Sequence, residues 1–79
     1  MKLNEQEKRA VEKVAQGDGR IRCRECEESK AFVSDGRSVR YKGDVRYGLF
    51  CPNGHRVNMD MPPDSAQQLG LPMPPFSPF

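Results

Sequence analysis

Three cysteines and the single histidine are the residues of this chain best suited to chemistry, and their spacing sorts them into two pairs. Cys23 and Cys26 form a Cys-x-x-Cys, and Cys51 and His55 lie in the run CPNGH, with 24 residues between the pairs. Two thiolates offered from one tight turn, closed by a second pair from another, make a four-donor set of Cys3His type. That set suits a tetrahedral structural zinc. A disulfide framework is a poorer reading, because the cysteine count is odd and no apolar h-region follows Met1. A redox dithiol of thioredoxin type needs a helix opening at its first cysteine. Here Ile21 to Arg24 reads as a strand running into a charged turn.

The elements that must position these ligands are small. The 79 residues allow one domain, with 35% hydrophobic and 30% charged residues and no tryptophan. Setting aside the first 16 or so residues and the last 18 leaves about 40 in the middle, too few to offset their conformational entropy by apolar burial alone. A metal is the staple on offer, and comparable zinc sites contribute on the order of 10 kcal/mol to folding.

Three segments follow: residues 1–19 as a helix and linker, 20–61 as the metal-binding body, and 62–79 as a tail. Residues 4–16 read as a helix, with Asn4 as N-cap, Glu7 in the capping-box position and Gly17 as the stop. Leu3, Ala10, Val11, Val14 and Ala15 give it a thin apolar stripe. Beyond it, Arg20–Cys23 and Lys30–Val33 read as strands flanking the turn CREC, and Ser34-Asp35-Gly36 reads as a turn. Val39-Arg40-Tyr41 and Val45-Arg46-Tyr47 repeat one another around Lys42-Gly43-Asp44. A hairpin with that three-residue loop sets Tyr41 against Val45, Val39 against Tyr47, and Arg40 against Arg46 on the other face. Arg56–Met61 reads as the return strand. Six of the seven prolines fall after residue 61, so the tail is expected to be flexible or polyproline-like.

Two ligand pairs borne on turns at the ends of hairpins resemble a zinc ribbon. CREC matches its first knuckle. CPNGH matches the second in Cys51 and Pro52, then places Gly54 where that fold usually has cysteine and His55 where it usually has glycine. An imidazole is longer than a cysteine side chain, so His55 can reach the ion from one residue further on, with Gly54 relaxing the turn. The resemblance covers residues 20–61, about half the chain. It implies a small, metal-stabilised, mainly β fold: a zinc ribbon of short antiparallel strands with an N-terminal helix and a flexible proline-rich tail. Ribbons serve transcription factors, polymerase subunits, ribosomal proteins and small regulators, so the fold implies contact with nucleic acid or with proteins that handle it, and no single activity.

Four ligands close a metal site, whereas a catalytic zinc keeps an open position, and no His-x-Glu, nucleophile motif or phosphate loop is present. The chain therefore reads as a non-enzyme with Zn2+ as its cofactor and no small-molecule substrate. Net charge is +2, small for a non-specific nucleic-acid binder, although residues 20–56 carry nine basic against five acidic side chains. Two binding modes are expected. A basic hairpin face of Arg40, Lys42 and Arg46, with Arg22 and Arg24 nearby, suits nucleic acid. Alternatively, the helix stripe at Val11 and Val14, together with the apolar tail of Leu71, Pro72, Pro75 and Phe76, suits a protein-binding adaptor or inhibitor. No run of 18 apolar residues marks a membrane span, and reduced thiols without a leader suggest an intracellular, cytoplasmic protein.

Overall fold

Asn4 starts the first helix as the sequence requires. Its side chain accepts the Glu7 N–H at 2.8 Å while Glu7 Oε1 accepts the Asn4 N–H at 2.9 Å, a complete capping box. In the computed structural model, which describes residues 2–18, 21–23 and 32–74, α1 (Glu5–Gly17) leads to β1 (Val33–Tyr41), β2 (Asp44–Phe50), β3 (Arg56–Met61) and α2 (Pro63–Gln68). The strands form one antiparallel sheet in the order β1-β2-β3. Its inner face carries Val45, Tyr47, Leu49, Met59 and Met61, all buried. Val11 and Ala15 of α1 and Ala66 of α2 are fully buried in the same cluster. The chain is thus a small, mainly β protein with an N-terminal helix.

The hairpin differs from the expected one by a single residue, and the difference changes what each side chain faces. Lys42 and Gly43 alone form the loop, with φ of 51° and 86°. Two successive positive φ values give a turn whose twist matches that of the strands it joins. Tyr41 therefore pairs with Asp44, Arg40 with Val45, Val39 with Arg46 and Ser38 with Tyr47. Arg40 and Arg46 are not opposed; they lie on opposite faces of the sheet.

The stretch expected to be a turn, Ser34-Asp35-Gly36, runs instead into a bulge inside β1. Residues 35–37 occupy the space opposite Gly48 alone, between the pairs Ser34↔Leu49 and Ser38↔Tyr47. The bulge keeps Ser34 and Ser38 on the inner face. Their small side chains and Gly36 let α1 approach closely: Glu12 Oε1 accepts the Ser34 N–H at 3.1 Å, and a Cβ on Gly36 would meet Lys8 Cε at 2.9 Å. This close approach explains why Val33, Val39 and Tyr41, the large apolar residues of β1, point outward.

Residues 62–74 correct the expectation of a flexible tail. Pro63 sits in the first turn of α2, where its missing N–H leaves no intrahelical bond unmade. The chain then turns at Gly70 (φ 71°), and the Leu71 N–H donates to Ala66 O at 3.0 Å. Leu71 is buried, and the Tyr47 hydroxyl donates to Pro72 O at 2.6 Å. Burial raises the Tyr47 pKa to about 12. Proline composition argued against a packed segment, but Ala66 and Leu71 supply the apolar contacts that fix it. Pro75 and Phe76 lie outside the described residues.

Candidate metal centre

β2 ends at Phe50 and β3 begins at Arg56, and the five residues between them make a turn closed by three main-chain donors. The Cys51 N–H donates to His55 O at 2.9 Å and the Gly54 N–H to Cys51 O at 2.9 Å. The His55 N–H points at Cys51 Sγ, 3.3 Å away. Gly54 takes φ of 87°, a conformation that an L side chain rarely adopts. The glycine in CPNGH thus curls the turn until residue 55 faces the sulfur of residue 51.

The third donor comes from outside the hairpin. Ile21, 7% exposed, packs into the core beside Cys23, itself 3% exposed. Cys23 Sγ and Cys51 Sγ each lie 3.4 Å from His55 Nδ1. The three ligand atoms fall within 4.8 Å of one another. A tetrahedral zinc, with Zn–S of about 2.3 Å and Zn–N of about 2.0–2.1 Å, holds sulfur and nitrogen about 3.6 Å apart. Both S···N separations are close to that edge length, and the three donors lie close enough together to hold one metal ion. The nitrogen offered is Nδ1, which requires the tautomer with its proton on Nε2. Two buried sulfurs converging on one ring nitrogen make a soft donor set, matched to a thiophilic cation.

Cys23, Cys51 and His55 are therefore brought together as the spacing predicts, and the histidine belongs to the cluster in spite of its offset position. Cys26, the fourth predicted ligand, lies outside the described residues. Next to this cluster an open groove of about 750 Å³ runs from Cys23 and His55 along residues 56–60, with Asp18 and Ile21 on its other wall.

The residues proposed for binding are dispersed. Arg46 makes a bidentate pair with Asp60, both bonds at 2.8 Å, and stacks on the Tyr41 ring at 3.9 Å from its centroid. Its pKa is raised, first by the hydrogen bond to Asp60. Lys42 lies 5.3 Å from the same centroid. Arg40 projects from the other face, and Arg22 is exposed beside Cys23, while Arg24 lies outside the described residues. The expected anion clamp between Arg40 and Arg46 does not form, because the two-residue turn puts the two arginines on opposite faces, and the β2–β3 register sets Asp60 beside Arg46. Val11 is fully buried and Val14 packs against the same core, so the helix stripe is part of the fold. Leu71 does the same, and Pro72 holds Tyr47.

What sequence reasoning missed is the outer face of the sheet. Val33, Val39, Tyr41 and Phe50 expose between 36% and 54% of their surface, all on that one side. The signal was present: once Val45, Tyr47 and Leu49 are assigned inward, the turn register forces Val39 and Tyr41 outward. Arg56 meets Asp35 Oδ2 at 3.0 Å, so both arginines of this face are neutralised by carboxylates.

No protein-family model, curated protein or solved structure matches this chain. Among the described residues, no helix is long and apolar enough to cross a membrane.

Proposed function

We propose that this chain is a non-enzymatic, zinc-stabilised binding module of zinc-ribbon type that docks on a protein through the outer face of its sheet. The convergence of Cys23, Cys51 and His55 Nδ1, with both S···N separations near a tetrahedral edge, supports zinc, and the Cys-x-x-Cys spacing offers Cys26 as the fourth ligand. The ion's role in this reading is mechanical. It ties Cys23 to the β2–β3 turn, and so fastens two parts of a core too small to hold together unaided.

The observation that carries the binding mode is a pair of exposed apolar patches on one face, Val33 with Phe50 and Val39 with Tyr41, on either side of the Asp35 carboxylate that covers Gly48, with Arg46 and Arg56 each paired to a carboxylate. An apolar surface with an aromatic, stacked arginine suits a protein interface, where aromatic residues and arginine are enriched. Nucleic acid would be better served by uncompensated cations. A regulator or adaptor of a larger assembly is the role that fits.

The test is affinity capture from the native host with zinc-loaded protein, with and without nuclease. A Val33→Asp/Val39→Asp variant, shown to be folded by circular dichroism, serves as control. The reading expects a protein captured in both nuclease conditions and lost with the variant. Capture abolished by nuclease, or unchanged by the variant, contradicts it.

A further inference from the structure

Cys23 and Cys51 come from distant parts of the chain and meet at one ring nitrogen. Each sulfur lies 3.4 Å from His55 Nδ1, and the three atoms fall within 4.8 Å of one another. Thiolates are both the ligands of a soft metal and the nucleophiles of sulfur oxidation, so one pair can serve either chemistry. A disulfide brings its sulfurs to about 2.05 Å. Two sulfurs already within 4.8 Å approach that length by rotation of short side chains. The pair is also approachable from one side. Among the described residues, the groove of about 750 Å³ is lined by Cys23 and His55 and not by Cys51. A reagent the size of a hydroperoxide therefore meets Cys23 first, with Cys51 next in reach. Both cysteines are only 3% exposed, which favours a second thiol from within the site over one from another molecule.

We propose that hydrogen peroxide converts Cys23 and Cys51 into a disulfide and that the bond expels the ion. The Cys23 thiolate attacks one peroxide oxygen; the O–O bond breaks, and the departing hydroxide takes a proton from solvent to become water. The Cys51 thiolate then attacks the sulfur of the Cys23 sulfenic acid. An S–S bond forms, the S–O bond breaks, and a second hydroxide leaves and is protonated. Two thiolates have lost two electrons, and one peroxide with two protons has become two waters. The sulfurs of a disulfide carry no charge and are no longer thiolate ligands, so the site keeps too few donors to hold zinc. The new bond joins the same two parts of the core that the ion joins, Cys23 and the β2–β3 turn. Release of the ion rests on zinc occupying the site; formation of the disulfide does not.

The test treats the zinc-loaded chain, purified under reductant and moved to reductant-free buffer, with excess hydrogen peroxide. A chromophoric chelator follows released zinc, and remaining thiols are blocked before digestion and mass spectrometry. Trypsin cleaves after Arg22, Arg24, Lys30, Arg46 and Arg56, so each cysteine falls on its own peptide: Cys23–Arg24, residues 25–30 and residues 47–56. The expected product is Cys23–Arg24 joined to residues 47–56, lighter than the two peptides by two hydrogen atoms. It should appear together with one zinc ion released per chain, and dithiothreitol with added zinc should reverse both. Cys26→Ser should keep the joined peptide, and Cys51→Ser should lose it. Cys23 joined to Cys26 instead, sulfinic acid without any cross-link, or zinc and thiols both retained under peroxide that oxidises glutathione overturns the proposal. The joined peptide from a chain that held no zinc beforehand would sustain the disulfide and refute the release of an ion, so the two claims fail separately.

Discussion

Gly48→Ala is expected to destabilise this protein although alanine is ordinarily the better strand residue. Gly48 takes no positive φ, so its backbone accommodates a side chain. What excludes one is Asp35: an ideal Cβ at position 48 would lie 2.8 Å from Asp35 Oδ1 and nearer still to Oδ2. The Asp35 carboxylate, 6% exposed, lies flat on the glycine, accepting the Arg37 N–H at 2.8 Å and facing Arg56 at 3.0 Å. A methyl group must evict it. Losing a charge-assisted hydrogen bond costs about 1.5–3 kcal/mol, and the half-exposed arginine pair adds at most about 1 kcal/mol. Relief of glycine's backbone entropy returns about 0.5–1 kcal/mol, leaving a net loss of about 2 kcal/mol. In a chain of this size that lowers the melting midpoint by roughly 8–16 °C. The decisive comparison is a double-mutant cycle with Asp35→Ala, followed by thermal unfolding at fixed excess zinc. Once Asp35 is gone the three closest contacts of the methyl group go with it, so Gly48→Ala should then be neutral or slightly stabilising. The two changes should couple by about 2 kcal/mol. Additive losses would refute the reasoning.

Two further outcomes follow from the same face and from the core beneath it. Arg46→Gln should lower the melting midpoint, because it removes the fork to Asp60 and the stack on Tyr41; stabilisation instead would mean that the arginine was strained by like charge. Tyr47 ionises at about 12 in the folded chain against 10 when exposed, so its contribution is complete below pH 10 and lost as pH rises toward 12. Tyr47→Phe should melt lower at neutral pH, by about 1 kcal/mol for the bond to Pro72 O, and should lack that alkaline decline in a pH series of unfolding curves.

Local signals in the chain were read correctly where one short stretch contains the whole device. The capping box needs only Asn4 and Glu7, and the turn around His55 needs only the five residues CPNGH. The third donor, Cys23, was legible because few residue types bind soft metals. The faces of β1 were not legible, since they depend on whether two or three residues turn the hairpin, and one residue inverts every contact. Lys42 at φ of 51° hid the shorter turn, because lysine rarely adopts that conformation. Nor could composition reveal that α1 would choose the side of β1 bearing Ser34, Gly36 and Ser38 over the side bearing Val39 and Tyr41. Close approach of a helix to small residues outweighed apolar patterning there. The tail shows the converse error. Its prolines obscured the six residues of α2 and the docking of Leu71, which a search for small and apolar residues would have found.

The central claim is that Cys23, Cys51 and His55 hold one zinc ion. X-ray absorption at the zinc edge, on protein purified without added chelator, tests it most directly. The account predicts one ion per chain, with sulfur neighbours at about 2.3 Å and a single imidazole nitrogen at about 2.0–2.1 Å, the imidazole signature vanishing in His55→Ala. A shell of oxygen and nitrogen alone, or a chain that is folded and metal-free, would contradict it.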